Sequence, residues 1–92
     1  MKVERGGGSV NLFIPVEGPD GWTPGSTTAE VALVAPGTTP VTNDWHAGTW
    51  DGTEVRYLWN PATWQDGDYL AKVRLTAGQE QVVKTASRVT LG

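Results

Sequence analysis

The chain has 92 residues, no cysteine and a formal net charge of −3, which predicts one domain with a thin core and no disulfide. Its 7 basic residues are scattered rather than clustered, so we expect no nucleic-acid partner. No apolar run approaches the ~20 residues that a membrane-spanning helix needs, and we expect no membrane partner.

Short apolar runs alternate with polar residues along the chain, and 12 glycines and 6 prolines fall mostly between these runs. A period of two with turn residues at the boundaries is typical of β-strands. Together with a central hairpin, these runs predict an all-β chain of six to seven strands that packs as a single antiparallel β-sandwich. The predicted strands cover 9–16, 28–35, 68–77 and 81–91, and the long loops cover 17–27 and 36–43.

The hairpin is predicted over 44–59, DWHAGTWDGTEVRYLW, which holds three of the five tryptophans. Asp51-Gly52 is a strong signal for a two-residue turn, because a type I′ turn needs a positive φ at both positions. That turn makes one face of the hairpin apolar and the other polar. In the predicted register the opposing pairs are Trp50 with Thr53, Gly48 with Val55, His46 with Tyr57, and Trp45 with Leu58.

Alternation also predicts which side chains form the core. In the strand at 28–35, one face carries Val31 and Leu33 between two alanines, Ala29 and Ala35, while Glu30 marks the other face. We expect Trp50 to belong to the core because it shares a face with Tyr57 and Trp59. The side chains predicted to be largely buried are Val31, Leu33, Tyr57, Trp59, Tyr69 and Val73.

Three tryptophans are not placed in the core by this pattern. Trp45 and Leu58 fall together on the polar face, either as a covered strand end under the 36–43 loop or as an apolar contact patch for another protein. Both interpretations stay open. Trp22 and Trp64 lie in loops rich in Gly and Pro, where we expect them to close the ends of the sandwich.

The segment WQDGDYLAKV, residues 64–73, predicts a tyrosine corner. In such a corner the hydroxyl of Tyr69 donates a hydrogen bond to backbone a few residues upstream and fixes the crossover between the sheets. Asp66 and Asp68 can in principle offer oxygens to calcium. Turn geometry explains two carboxylates at this spacing without a metal.

Residues that would make a catalytic site are missing from the pattern. His46 is the only histidine, and no serine has the setting of a nucleophile elbow. The chain has neither a phosphate-binding loop nor zinc-ligand spacing. We therefore expect no enzymatic activity, no cofactor and no metal site.

The first eight residues, MKVERGGG, are predicted to form a flexible arm ahead of a sandwich domain at 9–92. Consecutive glycines cost conformational entropy to order and offer no side chains that compensate for it. One hypothesis is that a partner orders the arm, which adds a strand to a sheet edge; the alternative is that the arm folds back on its own domain. The candidate partner-binding residues are Lys2, Val3, Arg5, Gly6, Gly7, Gly8, Trp45 and Leu58.

Residues 28–91 resemble a group of small virion structural proteins of tailed bacteriophages of actinobacteria. The resemblance rests on AEVALVAPG, then DWHAGTWDG, then an alternating strand, then DGDYLAKVRLTAG and a closing strand. Members of that group run similarly from a VELAL-type strand to a DWxxAxW hairpin and a PGxYxVWVRV-type strand. The DWHAGTWDG hairpin is the more particular part, and residues 1–27 have no counterpart.

The resemblance implies an Ig-like sandwich in a capsid decoration, cement or head–tail connector protein, with no catalytic residues. Its partners would be other virion proteins, such as the major capsid protein, and it would be present in many copies in a symmetric assembly. Its location would be the virion, assembled in the host cytoplasm. The alternative function is a carbohydrate-binding or adhesive Ig-like module, since exposed tryptophan rings can stack on sugars.

Overall fold

The computed structural model describes residues 1–6 and 8–92, which form eight β-strands and two single-turn 3-10 helices. The helices are Pro24–Ser26 and Thr42–Asp44, and no helix in the described residues has the length and apolarity to cross a membrane. The strands are β1 Lys2–Val3, β2 Val10–Pro15, β3 Thr28–Val34, β4 His46–Ala47, β5 Thr49–Asp51, β6 Glu54–Trp59, β7 Gly67–Ala77 and β8 Glu80–Leu91.

The strands pack as two sheets, as the sequence predicted. One sheet has the order β1-β8-β7-β3-β4 and the other has the order β2-β6-β5. Every pairing is antiparallel except that of β1 with β8. This order corresponds to the GFC and BED sheets of the immunoglobulin fold, with β4 added beside β3 and β1 added beside β8. The prediction of an all-β sandwich is therefore confirmed.

The core lies between the two sheets and consists of side chains that alternate along each strand. Trp59 is 1 % exposed, and Val31 and Val73 are fully buried. Leu33 is also buried, whereas Tyr57 and Tyr69 are half-buried and pack against the core from its rim. The core prediction is thus confirmed for the aliphatic residues and Trp59, and the two tyrosines are less buried than predicted.

Strand β3 is buried on both faces, which the sequence did not predict. Ala32 and Val34 point away from the inner face, yet their exposures are 0 % and 6 %. The 3-10 helix at Thr42–Asp44 lies against β3 and explains part of this burial. Ala35, predicted to continue the inner face, lies beyond the end of β3 and is exposed.

The predicted hairpin is divided between the two sheets. His46 and Ala47 pair with β3 in the five-stranded sheet, whereas Thr49–Asp51 pair with β6 in the other. Gly48 lies at the change of sheet, where its N–H donates to the carbonyl of Ala29 at 2.9 Å. A Cβ on Gly48 would overlap the side chain of Val55, so only glycine allows the strand to cross here.

The hairpin register is corrected as well. Trp50 opposes Val55 and Asp51 opposes Glu54, so the turn is Gly52-Thr53 rather than Asp51-Gly52. This shift leaves the faces unchanged, because Trp50 still points to the same side as Val55 and Trp59. Trp45 does not oppose Leu58, since the strand that follows Trp45 belongs to the other sheet.

The tyrosine corner is confirmed. The hydroxyl of Tyr69, near the start of β7, donates to the backbone carbonyl of Gln65 at 2.5 Å. The segment between β6 and β7 crosses from the three-stranded to the five-stranded sheet, and this hydrogen bond fixes the end of the crossover.

The outer edge of β8 is only partly covered by another strand. Strand β1 pairs with Thr90 and Leu91, and β7 lies on the opposite side of β8. Ala86 is an extra residue in the ladder, because Ala71 pairs with Ser87 and Lys72 pairs with Thr85. Lys84 pairs with the inward-facing Val73, and its Nζ donates to the carbonyl of Glu17. A bulge and an inward-pointing charge are two ways in which proteins protect a sheet edge.

We predict that Gly48→Ala destabilises the fold by ~1–3 kcal/mol, because the added methyl overlaps a rigid valine in a packed core. The matched control is Gly25→Ala, where an added Cβ meets nothing within 4 Å. Urea denaturation monitored by tryptophan fluorescence measures both. Equal midpoints for the two variants would contradict the assignment of Gly48 as the point where the strand changes sheet.

We predict opposite outcomes for two adjacent residues of β6. Trp59→Ala removes a large buried ring and should cost about 3–5 kcal/mol. Leu58→Ala alters a side chain that is 61 % exposed and should stay within about 0.5 kcal/mol of the parent protein. Thermal unfolding measures the melting temperature of both variants. A Trp59→Ala variant with the melting temperature of the parent protein would show that the faces of β6 are wrongly assigned.

Candidate functional site

The tryptophans do not form an exposed ring platform. Trp59 is buried and contacts Trp64 and Tyr69 edge-to-face, with centroid distances of 5.4 and 6.2 Å. Trp64 also meets Tyr69 edge-to-face at 5.1 Å. The loop residue Trp64 therefore closes one end of the sandwich, as the sequence suggested, and its ring faces are used inside the molecule.

The opposite end of the sandwich is closed by Trp22 and Trp50, both half-buried against the core. The indole nitrogen of Trp50 donates to the carbonyl of Thr27 at 2.8 Å. A cavity of about 100 Å³ lies between these side chains, below the range of ~300–1,000 Å³ typical of small-molecule sites. The buried hydroxyl of Thr27 has no hydrogen-bond partner among the described protein atoms.

Trp45 lies on the outer face of the five-stranded sheet, where a charged side chain covers one ring face. The guanidinium carbon of Arg74 lies 4.6 Å from the centroid of the Trp45 ring. Arg74 also donates two hydrogen bonds of 2.9 Å to the carboxylate of Glu30. These bonds raise the pKa of the Arg74 guanidinium above its ordinary value, so it stays charged. Such a stack favours the interpretation of Trp45 as a covered strand end.

Leu58 lies instead on the outer face of the three-stranded sheet, together with a residue that the sequence analysis did not select. Phe13 of β2 opposes Arg56, and Leu58 opposes Asn11, so Phe13 and Leu58 are diagonal neighbours on one face. Their exposures are 42 % and 61 %. Pro15 extends the same face and is also exposed. We call this group, Phe13, Pro15 and Leu58, the apolar face.

The N-terminal segment is docked on its own domain rather than free of it. The N–H of Thr90 donates to the carbonyl of Met1 at 2.8 Å, and the N–H of Gly92 donates to the carbonyl of Val3 at 3.0 Å. Val3 is 8 % exposed and belongs to the hydrophobic core. The structure thus corresponds to the alternative in which the arm folds back, and the sequence missed β1 because Val3 is its only apolar core residue.

Arg5 attaches the same segment to the crossover loop. Its Nε donates to Asp66 at 2.5 Å, and its Nη1 donates to the carbonyl of Pro61 at 3.0 Å. Nη2 donates to the carbonyl of Trp64. All three partners lie on the loop that the tyrosine corner fixes. Lys2 is exposed and pairs through its backbone with Thr90.

The glycines after Arg5 connect the docked segment to β2. Gly6 and Gly8 have φ values of 128° and 84°, and a Cβ on either would meet nothing within 4 Å. A cleft of about 370 Å³ is lined by these glycines and by Arg5, Pro61 and Ala62. Gly7, a candidate contact residue, lies outside the described residues.

The residues examined for catalysis or metal binding have structural partners. His46 stacks on Tyr57 with a centroid distance of 5.6 Å and an interplanar angle of 14°, and burial raises the pKa of the Tyr57 phenol above its ordinary value. Asp66 bonds to Arg5, and Asp68 accepts a 2.7 Å hydrogen bond from the Thr90 hydroxyl. Across residues 1–6 and 8–92, no group of three or more His, Cys, Asp or Glu side chains is placed to hold a metal ion.

No protein-family model matches the chain, and no curated protein or solved structure matches it either.

We predict that Arg5→Ala loosens the docked segment without unfolding the core. The amides of Thr90 and Gly92 donate to Met1 and Val3, so their hydrogen exchange should accelerate about fivefold, which corresponds to the ~1 kcal/mol expected for a partly exposed charged pair. Exchange at the core amide of Val73 should not change. Lys2→Ala is the control, because this side chain is exposed. Unchanged exchange at Thr90 and Gly92 would show that Arg5 does not hold the segment.

Proposed function

We propose that the protein is a non-enzymatic structural component of a bacteriophage virion, a capsid decoration or cement subunit or a head–tail connector, that binds neighbouring virion proteins. The observation that carries this proposal is the apolar face on the three-stranded sheet. Leu58 and Phe13 are exposed as neighbours on one face, whereas the other exposed large hydrophobic residues in the described part of the chain, Met1, Val41 and Val83, lie elsewhere in the fold. Contiguous exposed apolar side chains are typical of protein-binding surfaces.

The setting of the apolar face also favours a protein partner. It lies on regular strands, so the contacting side chains are held in fixed positions by the sheet. Arg56 is exposed between Leu58 and Glu54 on the same face. Arg56 directly opposes Phe13, and aromatic residues and arginine are enriched in protein–protein interfaces. The sequence resemblance of residues 28–91 supplies the virion context, and the location in the virion is part of the proposal.

The alternative function, a carbohydrate-binding module, has weaker support. Sugar binding by stacking needs exposed aromatic rings. Trp59 is buried, Trp64 contacts other rings, and Trp45 is covered by Arg74 on one face. The one exposed large aromatic ring is Phe13 among the described residues. These positions assign the tryptophans to packing rather than to a ligand.

The proposal is tested by the protein content of purified phage particles. We expect an antibody against the chain to label the particles in electron microscopy, and mass spectrometry to find many copies per particle. Absence of the chain from particles purified to constant protein composition would refute the virion role. A glycan array probed with the chain tests the alternative function, and binding of one glycan class would favour it.

We predict that Leu58→Lys lowers incorporation into particles at least tenfold while leaving the melting temperature within about 2 °C, because an exposed substitution changes stability little and a charge inside an apolar contact is costly. The matched control is Val83→Lys, a strand residue of the five-stranded sheet that is 53 % exposed. Incorporation is measured by quantitative mass spectrometry of purified particles. Equal incorporation of the two variants would show that the apolar face is not the contact surface.

A further inference from the structure

The docked N-terminal segment bonds to parts of the chain that are distant in sequence. Its partners are the end of β8, at 88–92, and the crossover loop at 61–66. We call residues 1–5 the arm and this surface the arm site. The arm supplies a short parallel strand, one buried side chain and one guanidinium, so the arm site recognises it through three kinds of contact.

The three contacts differ in kind: backbone pairing, burial of an apolar side chain and hydrogen bonds from a guanidinium. The backbone of the arm pairs with β8, with Lys2 opposite Thr90 and Val3 opposite Leu91. Val3 enters the core, which excludes a charged residue at that position. Arg5 donates to two carbonyls and a carboxylate, which uses the fork of donors that only arginine provides. None of these contacts depends on which copy of the chain supplies the arm.

The glycines that follow the arm differ from the arm in that they make no side-chain contacts. Gly6 and Gly8 have positive φ values and no neighbours within 4 Å of a Cβ position. A cleft of about 370 Å³ lies beside them. Changing the path of this connection therefore loses no side-chain packing, whereas removing the arm from its site loses all three contacts.

We propose that the arm exchanges between copies of this protein, so that the arm of one copy occupies the arm site of a neighbouring copy. The occupant is a second copy of this chain, and the exchanged contacts are those of the closed form. Exchange of an identical element is a low-cost route to association, since it creates the same bonds between chains that existed within one chain.

Exchange of the arm depends on the concentration of neighbouring copies. A short glycine-rich connection holds its own arm at an effective concentration in the millimolar range. Copies in dilute solution therefore keep the closed form, and exchange begins when neighbours reach about the same local concentration. An assembly with many adjacent copies provides this condition, and to that extent the inference rests on the proposed function.

The rest of the β8 edge does not offer an equivalent route. The bulge at Ala86 interrupts the ladder, and Lys84 points inward and donates to Glu17. Both features oppose the addition of a further strand. Association through this edge is therefore confined to the part where β1 pairs with Thr90 and Leu91.

The test uses the full chain, which has no cysteine of its own. In Lys2→Cys/Thr90→Cys the two cysteines lie opposite each other across the β1–β8 pair, at a spacing that a disulfide can bridge. The protein is equilibrated at about 20 μM and at about 5 mM, on either side of the millimolar range. It is then oxidised and run on a non-reducing gel.

We expect monomers at the lower concentration and at least tenfold more disulfide-linked dimers or longer chains at the higher one. Thr28→Cys/Thr76→Cys is the matched control, because these positions pair between β3 and β7 within the body of the domain. It should give monomers at both concentrations. Monomers only from the arm pair at about 5 mM, or equal dimer yields from the two pairs, would overturn the proposal.

The result separates this inference from the proposed function. The gel reports on the isolated protein in concentrated solution, where no virion protein is present. Failure of exchange together with labelled phage particles would leave the virion role intact. Exchange together with unlabelled particles would leave a self-associating protein without that role.

Discussion

The edge-to-face packing of Trp59, Trp64 and Tyr69 holds the crossover between the two sheets, and the docked arm depends on it. Trp59 comes from the three-stranded sheet and Tyr69 from the five-stranded sheet, with Trp64 on the loop between them. The loop residues that accept hydrogen bonds from Arg5 belong to this crossover. In a chain without cysteine, three aromatic rings thus link the two sheets. They also hold the loop to which Arg5 attaches the N-terminal segment.

The same distribution of aromatic residues determines which surfaces remain available to a partner. A small domain has little core volume per residue, and large rings fill it with few side chains. Because the tryptophans close the ends and the centre of the sandwich, Phe13 and Leu58 are the largest apolar side chains left exposed on the described strands. Both side chains lie on the outer face of the three-stranded sheet, and neither lines the cavity beside Trp22 and Trp50.

Much of the fold followed from local sequence signals. Alternation placed β2, β3, β7 and β8 within one or two residues of their observed ends, and the Tyr69 corner was identified correctly. The division of the hairpin at Gly48 was not predictable by these means, because it depends on the close approach of Val55, a residue that only the folded structure places there. An Asp-Gly dipeptide favours a turn but does not fix its register, and here the turn lies one residue later.

The candidate site was predicted less completely than the fold. Leu58 was selected through an expected pairing with Trp45 that does not form, whereas its actual neighbour Phe13 lies far away in sequence. Cross-strand neighbours depend on sheet order, which a single sequence does not encode locally. The contacts of Arg5 could not be predicted from the sequence either, because its acceptors are mostly backbone carbonyls, which every residue carries.

The protected edge of β8 limits how further strands can add to the five-stranded sheet. A sandwich with an open edge can grow by hydrogen bonding one subunit after another, which produces fibrils of unlimited length. The inward Lys84 and the extra residue at Ala86 stop such growth after the two residues that β1 covers. Backbone pairing at this edge is therefore limited to one short segment.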